Sequence, residues 1–143
     1  MVVSSDPDGI SAVWAGQNGV LRISGRASDL RTGAKKGATL DLRYRIDQVP
    51  ERSVKIGVQC TQPLCGTRTG AMLDVTRVFK SAPPKNWRTL SIPLSCFTET
   101  GADLAGVEVP FAIETTGRFG LTISEVSLAQ KPAGTAPGCP GTI

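Results

Sequence analysis

The chain has 143 residues, a formal net charge of +4, no histidine, sixteen glycines and ten prolines, a length that suits one domain around one hydrophobic core. Without histidine the Ser-His-Asp and Cys-His arrangements fall away, and with them the commonest general base at neutral pH. Lys and Arg are scattered rather than gathered into the run or stripe that nucleic acid selects, and no apolar stretch approaches the ~20 residues of a membrane helix, so neither nucleic acid nor membrane is an expected partner.

Met1 to Asp8 lacks the apolar segment of a signal peptide, so the chain reads as an excised or mature segment. Asp6-Pro7-Asp8-Gly9 puts two acids at a turn before the first strand. Together with Glu125 they would suit a structural calcium, but no EF-hand spacing accompanies them and a Pro-containing acidic turn is more often only a turn, so neither metal nor cofactor is assigned. Ile10 to Gly16 and Val20 to Gly25 read as strands, and the Asn-Gly step in Gln17-Asn18-Gly19 predicts a tight hairpin between them.

Leu40, Leu42, Tyr44 and Ile46 alternate with Asp41, Arg43, Arg45 and Asp47; after the turn Val49-Pro50-Glu51-Arg52, Val54, Ile56, Val58 and Cys60 alternate with Lys55, Gly57 and Gln59. This period-two pattern marks half-buried strands, and the two runs read as neighbours in one sheet. Cys60 and Cys65 flank the turn Thr61-Gln62-Pro63-Leu64, which predicts a local disulfide and hence a secreted or periplasmic protein. Zinc is the rival, weakened because there is no histidine and Cys96 and Cys139 stand alone. Cys96 is then either a buried free thiol or the partner of Cys139.

Leu73 to Ser81, ended by Pro83-Pro84, and Ala102 to Val107 have the spacing of short helical connectors. Arg88 to Leu94, Phe111 to Thr115 and Phe119 to Ser124 return to period two, and Val126 to Ala129 continues or closes the sheet. From Gln130 the Pro- and Gly-rich sequence loses apolar periodicity. The predicted organisation is a β-sandwich domain over 1–129 with a flexible tail over 130–143, in an all-β class built from two packed antiparallel sheets.

Few residues can carry chemistry. No GxxxxGK[ST] is present, nor a GxGxxG opening a helix. Glycoside hydrolysis needs two carboxyl groups roughly 5–9.5 Å apart; Asp41, Glu114 and Glu125 lie on or beside predicted strands, and read as a solvated sheet face rather than a catalytic pair. The chain is therefore expected not to be an enzyme. Sugar recognition pairs an aromatic face with planar polar groups. Trp14, among small neighbours, is either such a platform or a core residue, whereas Trp87, after Pro83-Pro84-Lys85-Asn86, reads as a cap on the core. Tyr44, Phe111 and Phe119 share parity with core positions. The polar parity sets Asp41, Arg43 and Arg45 beside Lys55 and Gln59, either as a groove floor or as an ordinary wet face. The candidate carbohydrate-binding set is Trp14, Asp41, Arg43 and Gln59.

Asp8-Gly9-Ile10-Ser11-Ala12-Val13-Trp14, Leu73-Asp74-Val75-Thr76, the segment from Trp87 to Phe97 and Leu121-Thr122-Ile123-Ser124-Glu125-Val126-Ser127-Leu128 carry a resemblance. Together they resemble the C-terminal domain of bacterial family-three exo-β-glucosidases and exo-glucanases, over about residues 6 to 129. The resemblance implies a galactose-binding-like, jelly-roll β-sandwich without catalytic residues, attached to the catalytic domains of an enzyme acting on β-1,4 or β-1,3 glucans outside the cytoplasm. The expected function is a non-catalytic carbohydrate-binding module for cellulose-type β-glucan chains. The alternative is a structural domain that packs on the family-three catalytic core without binding sugar.

Overall fold

The period-two runs form strands, and glycine and proline interrupt them at the turns. In a computed structural model describing residues 1–24, 26, 28–59, 70–99, 104–130 and 139, the elements are β1 (Val2–Asp6), β2 (Gly9–Ala15), β3 (Gly19–Ile23), α1 (Arg31–Lys35), β4 (Thr39–Gln48), β5 (Val54–Gln59), β6 (Gly70–Asp74), α2 (Thr76–Ser81), β7 (Trp87–Pro93), α3 (Leu94–Glu99), β8 (Val109–Thr115) and β9 (Arg118–Ala129). They pair into a five-stranded sheet, β1-β2-β9-β4-β7, and a four-stranded sheet, β3-β8-β5-β6. The registered pairs are antiparallel, as the all-β sandwich reading expects.

The inward parity of each sheet supplies the core. Ala12, Trp14, Leu40, Leu42, Tyr44, Ile46, Leu90, Ile92, Phe119 and Leu121 come from the larger sheet, and Val54, Ile56, Val58, Phe111 and Ile113 from the smaller. The short helices close the ends with Phe79, Leu94 and Phe97. Trp14, Phe119, Phe79 and Tyr44 form a chain of rings with centroids 5.2, 5.8 and 4.9 Å apart in that order, the offset contacts that aromatic quadrupoles favour. Removing each such ring from water is worth about 4–6 kcal/mol before entropy is counted.

Two pairings differ from those read off the sequence. Gln17-Asn18-Gly19 does not close a hairpin, because β2 pairs with β1 and β9 while β3 pairs with β8 in the other sheet. The link is an arch between layers. It lets both apolar faces turn into one core, a larger gain than local Asn-Gly turn preference. Gly19 lies so close to the Trp14 indole, whose Nε1 donates to its carbonyl at 3.0 Å, that a Cβ there would stand 2.9 Å from Nε1. Likewise β4 and β5 are not neighbours: β4 lies between β9 and β7, and β5 between β8 and β6. Alternation gives each strand's faces but not its partner.

The connector read as helical from Leu73 divides in two. Leu73 and Asp74 end β6, and α2 follows from Thr76, where the Asp74 carboxylate accepts from the Thr76 amide at 2.9 Å. In 104–107 there is no helix; Val107 instead exchanges backbone hydrogen bonds with Ser28. Cys96 of α3 is bonded to Cys139, so the pairing alternative holds for that thiol and the tail is anchored there. The predicted Cys60–Cys65 bridge lies outside the described residues. No helix among the described residues is long and apolar enough to cross a membrane.

Candidate functional site

The four residues singled out for sugar contact are not brought together. Trp14 is 0% exposed and packed on Phe119, so its indole offers no face to a ligand; its small neighbours belong to a strand whose partners cover both sides. Gln59 lies on the four-stranded sheet, where its Oε1 accepts from Arg22 Nε at 3.1 Å. Only Asp41 and Arg43 share a face, the outer one of the five-stranded sheet. Asp41 is buried there and accepts from Thr39 Oγ1 at 2.7 Å. Among the acids considered for catalysis, Glu114 sits on the smaller sheet.

Trp87 is the aromatic on that outer face. Leu90 and Ile92 point into the core, so the opposite parity of β7 turns Trp87, Thr89 and Ser91 outward. Trp87 is half-buried at the edge of the sheet, directly opposite Arg45 on β4. The guanidinium carbons of Arg43 and Arg45 lie 5.2 and 5.3 Å from its ring centroid, within the range of cation–π attraction. Strand parity alone identifies Trp87 as a face residue: 87, 89 and 91 alternate against the apolar 90 and 92. The preceding Pro-Pro loop points to a core cap instead, and the structure corrects that expectation.

A row of paired residues crosses the sheet from Trp87 through Arg45, Thr122 and Ser11 to Ser4. Arg45 Nε donates to Asp47 at 2.7 Å, and Arg45 also donates to Thr122 Oγ1 at 3.2 Å. Thr122 donates onward to Asp47, and its hydroxyl also meets Ser11 Oγ at 2.7 Å. The two acids of the first turn, Asp6 and Asp8, each stand 3.7 Å from the Arg45 guanidinium. That turn therefore faces Arg45, while Glu125 stands opposite Arg43 in the strand register. Burial pushes the Asp47 carboxyl up, but the hydrogen bonds from Thr122 and Arg45, with the charges of Arg45 and Lys85, outweigh it and hold the group below the ordinary carboxylate range. Arg45 is thus a fixed cation under one end of the face.

Beside this network lies a shallow depression of about 100 Å³ lined by Asp41, Arg43, Thr89, Glu125 and Ser127. A register shift between Arg43 and Tyr44 turns Glu125 to stand opposite Arg43, a usual effect of a bulge. Thr89, Glu125 and Ser127 have no side-chain hydrogen bond or ion pair among the described residues, and Arg43 has only its contact with Trp87. A carboxylate and two hydroxyls therefore stand unengaged beside an arginine and a half-buried indole. That combination suits neutral polyhydroxylated rings, whose apolar faces stack while their hydroxyls both donate and accept.

Residues 3–128 match the family model Exop_C, described as galactose-binding domain-like. The exo-1,3/1,4-beta-glucanase ExoP of a Pseudoalteromonas species contains a similar fold, with a TM-score of 0.68 and 24% identity over 96% of this chain and 16% of that one. The separately solved extra C-terminal domain of the same enzyme matches with a TM-score of 0.63 and 22% identity, over 93% of this chain and 69% of that one. A family 30 carbohydrate binding module, at 9% identity, matches with a TM-score of 0.65 over 95% of this chain and 81% of its own. No curated protein matches.

Proposed function

The chain belongs to the Exop_C family of galactose-binding-like domains, and from that premise we propose that it is a non-catalytic module binding β-glucan chains on the outer face of its five-stranded sheet. One observation carries the reading: Trp87, half-buried on that face and in contact with Arg43, adjoins side chains without a hydrogen bond or ion pair among the described residues, namely Thr89, Glu125 and Ser127. Trp87 is the stacking platform, Arg43 and Glu125 supply a donor and an acceptor for ring hydroxyls, and Arg45 braces the indole through its cation–π contact. The similar domain in a β-1,3/1,4-glucanase supports a glucan ligand and the catalytic domains of a family-three glycoside hydrolase as neighbours in a longer protein. The Cys96–Cys139 bond supports an oxidising, secreted or periplasmic setting.

The test is titration of this chain with β-1,4- and β-1,3-linked glucose oligomers, together with depletion onto insoluble cellulose. Saturable binding weakened at least tenfold by Trp87→Ala, a loss of about 1.4 kcal/mol, is the expected result. Undiminished binding in that variant would remove this face from consideration.

A second reading has its own observation. The β1–β2 hairpin exposes Val2, Val3, Ile10 and Val13, with Val2 and Val13 paired across the strands. Exposed apolar side chains on both faces of a hairpin at a sheet edge suit a protein contact. The hairpin is then the surface that packs on the catalytic domains, and the domain braces its enzyme. The two readings use different parts of the molecule and are compatible.

A further inference from the structure

A second polar cleft lies on the other sheet. Lys55 of β5 and Glu114 of β8 are cross-strand partners, and strand parity turns both to the outer face, because Val54, Ile56 and Ile113 are in the core. Where this face reaches the end of the sandwich, the β2–β3 arch and the β8–β9 link come together, and a cleft of about 370 Å³ opens between Asn18, Ser53, Lys55, Glu114, Thr115 and Thr116. Its floor is fixed by Thr115, buried, whose Oγ1 donates to the Ser53 carbonyl at 2.9 Å. The arch is fixed by the Trp14 hydrogen bond to Gly19.

The lining is less committed than the floor. Lys55 stands between Glu114 on one side and Asp74 on the other. Asp74 hydrogen-bonds to Thr76 instead, and Lys55 makes no ion pair within 4 Å with either acid. The side chains of Asn18, Ser53, Glu114 and Thr116 likewise have no hydrogen-bond partner among the described residues. An ammonium, an amide, a carboxylate and two hydroxyls thus share a concavity large enough for one or two hexose rings. A sugar hydroxyl can accept from the ammonium or amide while donating to the carboxylate, which satisfies adjacent hydroxyls of one ring. A purely anionic ligand would meet Glu114, and a purely cationic one Lys55. The balance selects neutral vicinal diols.

We propose that the Asn18–Lys55–Glu114 cleft is a second glycan site, specific for the hydroxyl edge of a neutral sugar. It faces away from the Trp87 site because the two lie on outer faces of opposite sheets. One glucan chain cannot lie flat across both, so the domain holds two separate chains and links them. The proposal goes beyond the single-face reading above, and its test separates the two.

The experiment is titration of this chain with cellohexaose and laminarihexaose, followed by amide chemical-shift mapping, on wild type, Trp87→Ala, and Lys55→Met with Glu114→Gln. Retention of native-like spectra shows that each variant is folded. Wild type should bind two equivalents and shift two separate groups of amides, one around Arg43 and Trp87 and one around Asn18, Lys55 and Glu114. Trp87→Ala should keep the second group alone, and the Lys55/Glu114 variant the first alone, with loss of wild type's ability to carry soluble glucan onto insoluble cellulose. One equivalent in wild type, lost with Trp87→Ala, would overturn the second site and leave the first. One equivalent lost only in the Lys55/Glu114 variant would keep the cleft and overturn the Trp87 face. No binding by any form would overturn both.

Discussion

Trp14 and Trp87 stand on the same five-stranded sheet, on opposite faces and in surroundings of different kinds. Trp14 is sealed between the layers, its ring against Phe119 and its Nε1 hydrogen bond spent on the arch that carries the chain to the other sheet. Trp87 lies on the outer face among arginines, two of which rest over its ring, near side chains not engaged by the protein. One tryptophan therefore holds the sandwich together, and the other is presented by it. The difference teaches that a rigid core can hold a binding aromatic in place without that aromatic belonging to the core.

The sharpest way to break this comparison is to remove each ring in turn. Trp14→Ala should cost about 3–5 kcal/mol, as large-to-small changes at buried aromatic positions do, and should leave the Gly19 carbonyl without its side-chain donor. Urea unfolding measures it. A loss below about 1 kcal/mol would contradict the sealed environment of Trp14. A second large effect separates stability from binding. The Cys96–Cys139 bond closes a sequence separation of 43 residues, worth about 3–4 kcal/mol in the chain-entropy account. Cys139→Ser should lower the urea midpoint accordingly. It should leave glucan affinity unchanged where the protein is still folded, because α3 does not carry the Trp87 face.

Trp87→Ala is the smaller perturbation of the fold. Half-buried and on an edge strand, it should cost about 1 kcal/mol of stability or less, together with the at least tenfold loss of affinity already given. Equal destabilisation by the two Trp→Ala changes would erase the distinction between them.

Strand parity makes much of this legible in the amino-acid sequence. Leu40, Leu42, Tyr44 and Ile46 face the core as their alternation says, and so do Phe111, Phe119 and Leu121. The same reasoning applied to β7 places Trp87 outside, yet a local cue, the double proline before it, points inward. For Trp14 the small neighbours suggest access, but access depends on what pairs on either side, and β1 and β9 flank β2. Pairing is the illegible part. Asp41 and Gln59 share outward parity and still lie on different sheets, because period two fixes the face of a strand while long-range closure of two layers fixes its neighbours. The Arg45 network is equally hidden: Asp6, Asp8, Asp47 and Thr122 meet only once β1 to β2, β9 and β4 are in register.

The smallest expected effect on affinity tests whether that network braces the Trp87 face. Asp47 carries hydrogen bonds from Thr122 and Arg45 on a carboxyl held below its ordinary range. A carboxylate with a depressed folded pKa stabilises fully above its unfolded value, near pH 4, and loses that contribution as pH falls through the folded value. Asp47→Asn should therefore cost about 1.5–3 kcal/mol at pH 7, the usual worth of hydrogen bonds to a charged group, and the gap between variant and wild type should narrow as pH falls through the unfolded value, about 4. Chemical denaturation at a series of pH values reads this directly. A gap independent of pH would mean that Asp47 acts through shape and not charge. If the gap closes while glucan affinity of the variant falls only a few-fold at pH 7, Arg45 keeps its place over Trp87 through Thr122, Asp6 and Asp8, and the brace is shared among several partners rather than vested in one carboxylate.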